Sequence, residues 1–331
     1  MREEFTFLSK DGKTNVYAVR RVPVGKARGV LQLTHGMVEY IGRYREFADF
    51  LEKEGFVVAG HDHLGHGHTG DPEGKAVYTT DRKDSGVESL GYFEESDPSG
   101  TLVADMHTLR QIMQKQYPDL PYFMLGHSMG SYLLRQYLAL HGEGLSGAVI
   151  MGTGYVPEKT TKAGLAVIKV LKAFHGSHYR SRFVQNMSYS KPYQQYDLTG
   201  KDCTRTWLSK NEENVKAYYK DPWCTYLFTL NGYRGLMESV QTTCRQENVD
   251  KIPKDLPVLF VSGQDDPVGD LGEGVRTVAG MFQKAGIHDV TMKLYQNDRH
   301  EILNETDRDR VRQDILSWVE ARLPKESGTE E

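Results

Sequence analysis

The sequence predicts an α/β fold on a mostly parallel sheet, and three observations carry that expectation. Short apolar runs bounded by turn residues alternate with helical periodicities. The inner runs are continuously apolar, as strands covered on both faces are. A serine between two glycines, Gly126-His127-Ser128-Met129-Gly130, joins one such run to a helical pattern.

Taken in order, the strand candidates are Glu4–Leu8, Asn15–Arg21, Val30–Thr34, Phe56–Gly60, Tyr122–Leu125, Gly147–Met151, Val258–Val261 and Val290–Tyr295. The first two alternate like an antiparallel hairpin with Asp11-Gly12 at its turn; the later ones are read as buried on both faces. Among the helices, Thr101–Tyr117 puts Leu102, Met106, Leu109 and Met113 on one stripe and ends at Pro118. Tyr132–Leu140 follows the serine directly. Val311, Ile315 and Trp318 or Val319 give the last helix its apolar face, and Lys325–Glu331 reads as a frayed tail. Between Gly154 and about Asn248 the alternation stops in an aromatic-rich, helix-like stretch, then resumes at Leu256-Pro257-Val258. The expected organisation is a core of residues 1–154 and 249–331 with a helical lid, residues 155–248, inserted after the sixth strand.

Bulk properties narrow the function. A net charge of −4 over 331 residues, without a long basic run, argues against nucleic acid as a partner. The opening Met1-Arg2-Glu3-Glu4-Phe5 lacks the apolar segment of a secretory leader, and no stretch has the apolar length of a membrane span. The three cysteines, Cys203, Cys224 and Cys244, read as reduced thiols of a cytoplasmic protein.

The serine motif gains its meaning from context. Pro121–Leu125 is strand-like and Ser131–Arg135 begins a helix, so Ser128 occupies a sharp strand-to-helix turn where only small flanking residues fit. The helix N-terminus directs backbone N–H groups to where an oxyanion would form. A serine hydroxyl needs an imidazole to take its proton and a carboxylate to orient that imidazole. In this arrangement the acid and then the base follow the serine, each on a loop after the carboxyl end of a strand. His300 follows the last strand, whereas His288 precedes it, so His300 is the base. The loop after Val258–Val261 offers Asp265 and Asp266, and periodicity does not separate them. The loop Thr34-His35-Gly36-Met37-Val38-Glu39 supplies a second oxyanion donor: the N–H groups of Met37 and Met129 are the expected pair, with His35 bracing the loop. His61, His63, His66 and His68 match no closed zinc spacing, and Gly65 and Gly67 predict a tight surface loop; neither metal nor cofactor is expected.

With these residues placed, the chain resembles the monoacylglycerol lipase and lysophospholipase branch of the α/β hydrolases, of the S33 serine-aminopeptidase type, in a bacterial form. The resemblance rests on Leu31–Met37, on Arg43-Tyr44-Arg45-Glu46-Phe47-Ala48, on Asp62-His63-Leu64-Gly65-His66-Gly67, on Gly263-Gln264-Asp265-Asp266 and on Arg299-His300-Glu301. It implies an α/β-hydrolase fold with an eight-stranded, mostly parallel sheet. Because the family's acid is the last residue of its Gly-x-x-Asp, it also favours Asp266. In the lid, Thr206-Trp207-Leu208-Ser209 and Asp221–Thr229 are similar to bacterial members.

The lid's first stretch, Glu158–Arg182, carries Lys159, Lys162, Lys169, Lys172, Arg180 and Arg182 against one acid. It reads as a basic amphipathic helix, either simply solvated on that face or in transient contact with a lipid surface. Tyr189, Trp207 and Phe228, with Tyr193, Tyr226 and Tyr233, are candidates for an apolar acyl pocket. The leading expectation is hydrolysis of a small-molecule ester, such as a monoacylglycerol, a lysophospholipid or another acyl ester, through an acyl-enzyme on Ser128. A peptidase or amidase on the same fold would need an acidic anchor, for which Glu212 and Glu213 are the adjacent lid pair. A non-enzymatic binding protein would have no use for serine, acid and base together. An aspartate-nucleophile hydrolase is excluded by Ser128 itself.

Overall fold

A computed structural model describes residues 1–78, 84–189 and 191–324. Eight strands form one sheet: β1 (Arg2–Leu8), β2 (Asn15–Arg21), β3 (Gly29–Thr34), β4 (Phe56–His61), β5 (Tyr122–His127), β6 (Gly147–Met151), β7 (Val258–Gly263) and β8 (Val290–Tyr295). Their order is β1-β2-β4-β3-β5-β6-β7-β8. β1 and β2 pair antiparallel, as do β2 and β4; every other pairing is parallel. Every strand expected from the sequence is present, several being one or two residues longer. The tail expected at Lys325–Glu331 lies outside the described residues.

Strand alternation sends side chains to two apolar layers. On one face Val30, Val57, Met124, Ile150 and Phe260 pack with Met106, Leu109, Leu134 and Phe282. On the other, Leu31, Val58, Leu125, Val149 and Val261 pack with Phe47, Leu51, Ile315 and Val319. The covering helices are α1 (Arg45–Lys53), α2 (Pro98–Gln116), α3 (Met129–His141) and, further along, Glu273–Lys284 and Arg308–Glu320. The stripe Leu102, Met106, Leu109 and Met113 of α2 is buried, as periodicity requires. β8 departs from expectation: it is one of the two edge strands, paired on one side only, and Thr291 and Met292 are exposed.

Between β6 and β7 the chain forms α4 (Glu158–His175), α5 (Arg182–Ser188), α6 (Glu212–Lys220) and α7 (Leu230–Thr243), with short 3₁₀ turns between α5 and α7. The basic stretch is not one helix. α4 stops where Gly176 takes φ +80°, and Arg180 turns inward to donate to the carbonyls of Leu227, Val87, Glu88 and Leu90. Lys172 pairs with Glu95. α7 lies along the core: Arg135 of α3 donates to Thr243 O at 2.6 Å, and a Cβ at Gly235 would sit 2.8 Å from Phe93. Among the described residues, no helix is long and apolar enough to cross a membrane.

Candidate active site

The loops that follow β3, β5, β7 and β8 converge at the carboxyl end of the sheet, where open parallel sheets gather functional side chains. Ser128 occupies the turn between β5 and α3 with φ +54° and ψ −121°, a conformation costly for any L-residue. The surroundings dictate the glycines beside it. A Cβ at Gly126 would come within 2.3 Å of Gly130 O, and one at Gly130 within 2.3 Å of Thr34 O. The strained turn is anchored on both sides: Ser128 N–H donates to Met151 O at 3.0 Å, and Ser131 Oγ donates to Ser128 O at 2.6 Å.

Asp266 and His300 meet, although 34 residues separate them: His300 Nδ1 lies 2.9 Å from Asp266 Oδ2, and both side chains are buried. Ser262 Oγ and Val268 N–H also donate to Asp266, at 3.2 and 2.8 Å, so both of its carboxylate oxygens are held. Asp265 points its bonding elsewhere. It is partly exposed, its N–H donates to Asp298 O, and its carbonyl accepts from Tyr196 Oη at 2.7 Å. The turn that left the two aspartates equivalent in sequence therefore turns only Asp266 toward His300. His288 is exposed and bonded to Asp255 before β8, remote from this convergence.

The loop after β3 presses against the serine. A Cβ at Gly36 would lie 2.9 Å from Ser128 Cβ, and Val38, a β-branched residue, is held at φ +55°. Met129 begins α3, so its N–H has no acceptor within the helix. His35 ties this loop to the one after β4: its Nε2 accepts His63 N–H at 3.0 Å and its Nδ1 faces Gly36 O at 2.8 Å.

A buried polar network not foreseen from the sequence lies beneath the turn. Glu39 Oε1 accepts from Gly36 N–H at 2.5 Å and from Tyr44 Oη at 2.8 Å, and lies 3.2 Å from His127 Nδ1. Arg43 bridges Glu39 and Glu301, and Asn214 of α6 donates to Glu301 at 2.7 Å. Burial alone would raise the Glu39 carboxyl, but the His127 bond and the Arg43 charge hold it well below its ordinary range. Burial likewise opposes charge on His127, and Glu39 outweighs it, raising His127 above the ordinary imidazole value. The signal for this network was in the sequence: His127 is the variable position before the serine, and Glu39 and Arg43 are charges beside an otherwise apolar loop.

The clustered histidines are a correction. The glycines predicted a surface loop, yet His61, His63 and His66 are fully buried. Chain distant in sequence covers them: the His66 ring lies 5.8 Å from Phe93 and 5.3 Å from Phe228. Desolvation lowers His61 to about 3 and His66 to about 4, so these rings are neutral. Among the described residues no group of three His, Cys, Asp or Glu side chains could hold a metal ion.

Of the proposed pocket aromatics, Trp207 stands beside His300, with ring centroids 5.1 Å apart, and its carbonyl accepts His300 N–H at 3.5 Å. Tyr193 packs on Trp207 at 5.6 Å and Tyr189 on Tyr193 at 5.2 Å, forming a continuous aromatic row. Phe228 is not part of it. It is buried among His66, Phe93, Tyr226 and Tyr233, where it fills the space between α7 and the loop after β4.

Residues 25–307 match the family described as Serine aminopeptidase, S33. A monoacylglycerol lipase of Mycolicibacterium smegmatis is 26% identical over 322 residues, covering 97% of this chain and 98% of its own. A thermostable carboxyl esterase from Bacillus coagulans, solved with glycerol, is 32% identical with a TM-score of 0.85, covering 97% of this chain and 98% of that one. An open-form lipase superposes with a TM-score of 0.83 at 25% identity, over 97% and 99%. The chain belongs to the S33 family of α/β hydrolases. Within it, the protein falls in the branch similar to monoacylglycerol lipases and is a serine hydrolase of carboxylic esters.

Proposed function

We propose that the chain hydrolyses monoacylglycerols or closely related single-chain acyl esters through an acyl-enzyme on Ser128, with His300 as base and Asp266 as orienting acid. The observation that carries this reading is the 2.9 Å contact of His300 Nδ1 with a buried Asp266 beside the strained Ser128 turn. With Nδ1–H committed to Asp266, Nε2 is the nitrogen free to take the serine proton and return it to the leaving alcohol. The N–H groups of Met37 and Met129 receive the tetrahedral oxyanion. No metal or cofactor enters this chemistry.

Residues 155–248 act as a cap, and within it Tyr189, Tyr193 and Trp207 form an apolar wall leading to the base. That wall suits an acyl chain and offers no anchor for a free amine. Glu212 and Glu213 are exposed at the start of α6, with Glu212 paired to Lys216 at 3.0 Å, which disfavours the aminopeptidase alternative. Exposed Val170, Phe174, Phe183 and Met187 on α4 and α5, beside exposed Lys159, Lys162 and Lys169, support transient contact of this cap with a lipid surface. The free thiols of Cys203, Cys224 and Cys244 suit a cytoplasmic setting.

A substrate panel tests the reading. Monoacylglycerols of graded chain length should give kcat/KM values rising to an optimum and exceeding those of aminoacyl amides at least about 100-fold, the scale on which a site lacking a needed polar partner rejects a substrate. Faster cleavage of aminoacyl amides would overturn it.

A further inference from the structure

His127 is fully buried, and both of its ring nitrogens face acceptors. Nε2 lies 3.2 Å from the backbone carbonyl of His300, a group that only accepts. Nδ1 lies 2.9 Å from Tyr44 Oη and 3.2 Å from Glu39 Oε1, and Tyr44 Oη lies 2.8 Å from the same Glu39 oxygen, so one hydroxyl proton stands between two acceptor contacts. A neutral imidazole leaves a lone pair facing a lone pair whichever way that proton turns: at Nε2 and the His300 carbonyl, at Nδ1, or between Tyr44 Oη and Glu39; an imidazolium, with Tyr44 donating to Glu39, satisfies every contact. The surrounding ionisable groups are Glu39 and Tyr44 from the loop after β3, Arg43 from the same loop, and His300 and Glu301 from the loop after β8. With His127 protonated, the buried charges of Glu39, Glu301, Arg43 and His127 balance.

We propose that Glu39 and His127 form a permanently ionised positioning pair for ester hydrolysis, joining the oxyanion loop to the base loop under Ser128. Glu39 holds Gly36 N–H, and so fixes the loop that presents Met37 N–H; His127 holds the His300 carbonyl, and so fixes the residue that must turn its Nε2 to the serine. Neither side chain touches substrate. This inference rests on the assignment of Ser128 and His300 made above. The His127 ring centroid lies 4.6 Å from that of His300, so the pair also sets the local charge felt by the base.

Glu39→Gln tests the pair, because it keeps size and one acceptor oxygen while removing the charge. The pair predicts a loss in kcat of about 100-fold, the cost of a misplaced oxyanion donor, with KM changed less than about threefold. The pH profile of kcat/KM discriminates the charge state. If Glu39 keeps His127 protonated, the variant loses the nearer positive charge along with the negative one, and the acid limb moves to higher pH. If His127 were neutral, only a negative charge would be lost, and the limb would move to lower pH. Nitrogen-15 NMR of the wild type, with His127 assigned through His127→Gln, gives an answer even if Glu39→Gln does not fold: two ring N–H protons at pH 8 are expected. A neutral His127, an acid limb that stays or moves down, or an unchanged kcat would overturn the proposal. Fluorophosphonate labelling of Ser128 in Glu39→Gln separates this failure from the other. Slow labelling at Ser128 keeps the nucleophile assignment intact, whereas labelling elsewhere in wild type and variant would sink that assignment first.

Discussion

Two groups of buried histidines lie side by side at the carboxyl end of the sheet, and their surroundings treat them in opposite ways. His127 and His300 each face a carboxylate, Glu39 at 3.2 Å and Asp266 at 2.9 Å. His61, His63 and His66 are as deeply buried but face carbonyls, backbone and aromatic rings. Both nitrogens of His61 and His63, and Nε2 of His66, have no partner among the described residues. His35 stands between the groups, 4.3 Å by ring centroid from His63 and in the same loop as Glu39. Burial is equal, so the difference lies in the partner. A buried imidazole beside a carboxylate can carry a proton, whereas one without a carboxylate expels it. The first group is placed where charge on an imidazole is supported, and the second packs the loop after β4 against aromatic side chains.

Removing the carboxylate from the first group gives the largest effect. Asp266→Asn should lower kcat by about 10⁴, as orienting acids do in serine triads generally, with folding retained. Asp265→Asn should stay within about threefold, since it touches the site only through its backbone. If Asp265→Asn alone lost activity on the larger scale, the wrong carboxylate would have been assigned. Glu39→Gln, with a loss nearer 100-fold, falls between these because it displaces the machinery without removing a member of it.

The second group is tested through stability. The folded pKa values of His61 and His66, about 3 and about 4, lie below the ordinary imidazole value, and those of His35 and His63 also lie well below it. As pH falls below about 6.5 the unfolded chain takes up protons that the folded chain refuses, so stability drops toward pH 4 and is recovered as pH rises. Each fully buried histidine should cost on the order of 2 kcal/mol between pH 6.5 and 5. Asp62, raised by burial to about 7, works in the opposite direction over that range, as do Asp105 and Asp298, each raised to about 6, and Glu305, so these carboxyls offset part of what the four imidazoles lose. Tm should therefore fall with acid, though less than the imidazoles alone would make it. His61→Leu, which removes two unpartnered nitrogens from an apolar site, should make that fall shallower without lowering Tm at pH 7 by more than about 3 °C. A Tm independent of pH between 7 and 5 would show these rings to be protonated or hydrated in the folded protein.

The sheet and the strand-to-helix turn were legible because they follow local rules: period-two burial, glycine where backbones touch, and a short run of contiguous residues. β8 was misread because its edge position depends on which strands pair beyond it, and among the described residues none does. The histidine loop was misread for a similar reason. Gly65 and Gly67 do make tight turns, at φ +72° and +45°, but the cover comes from Phe93, Tyr226 and Phe228. Asp265 and Asp266 sit on one turn, and which carboxylate faces His300 is settled by long-range geometry that periodicity does not encode. Arg180 looked like one more cation of a basic face, yet it closes a set of backbone carbonyls from two distant segments. Between β6 and β7, composition supplied the aromatics. It did not separate Trp207, which meets His300, from Phe228, which fills a core.

Everything attributed to the first histidine group assumes that its chemistry is directed at Ser128. Intact-mass and peptide mapping after reaction with a fluorophosphonate tests that directly. Wild type should gain one adduct, on the peptide carrying Gly126-His127-Ser128-Met129-Gly130, with Ser128→Ala gaining none and His300→Ala labelling far more slowly. An adduct that persists in Ser128→Ala, or maps to another residue, would contradict the account.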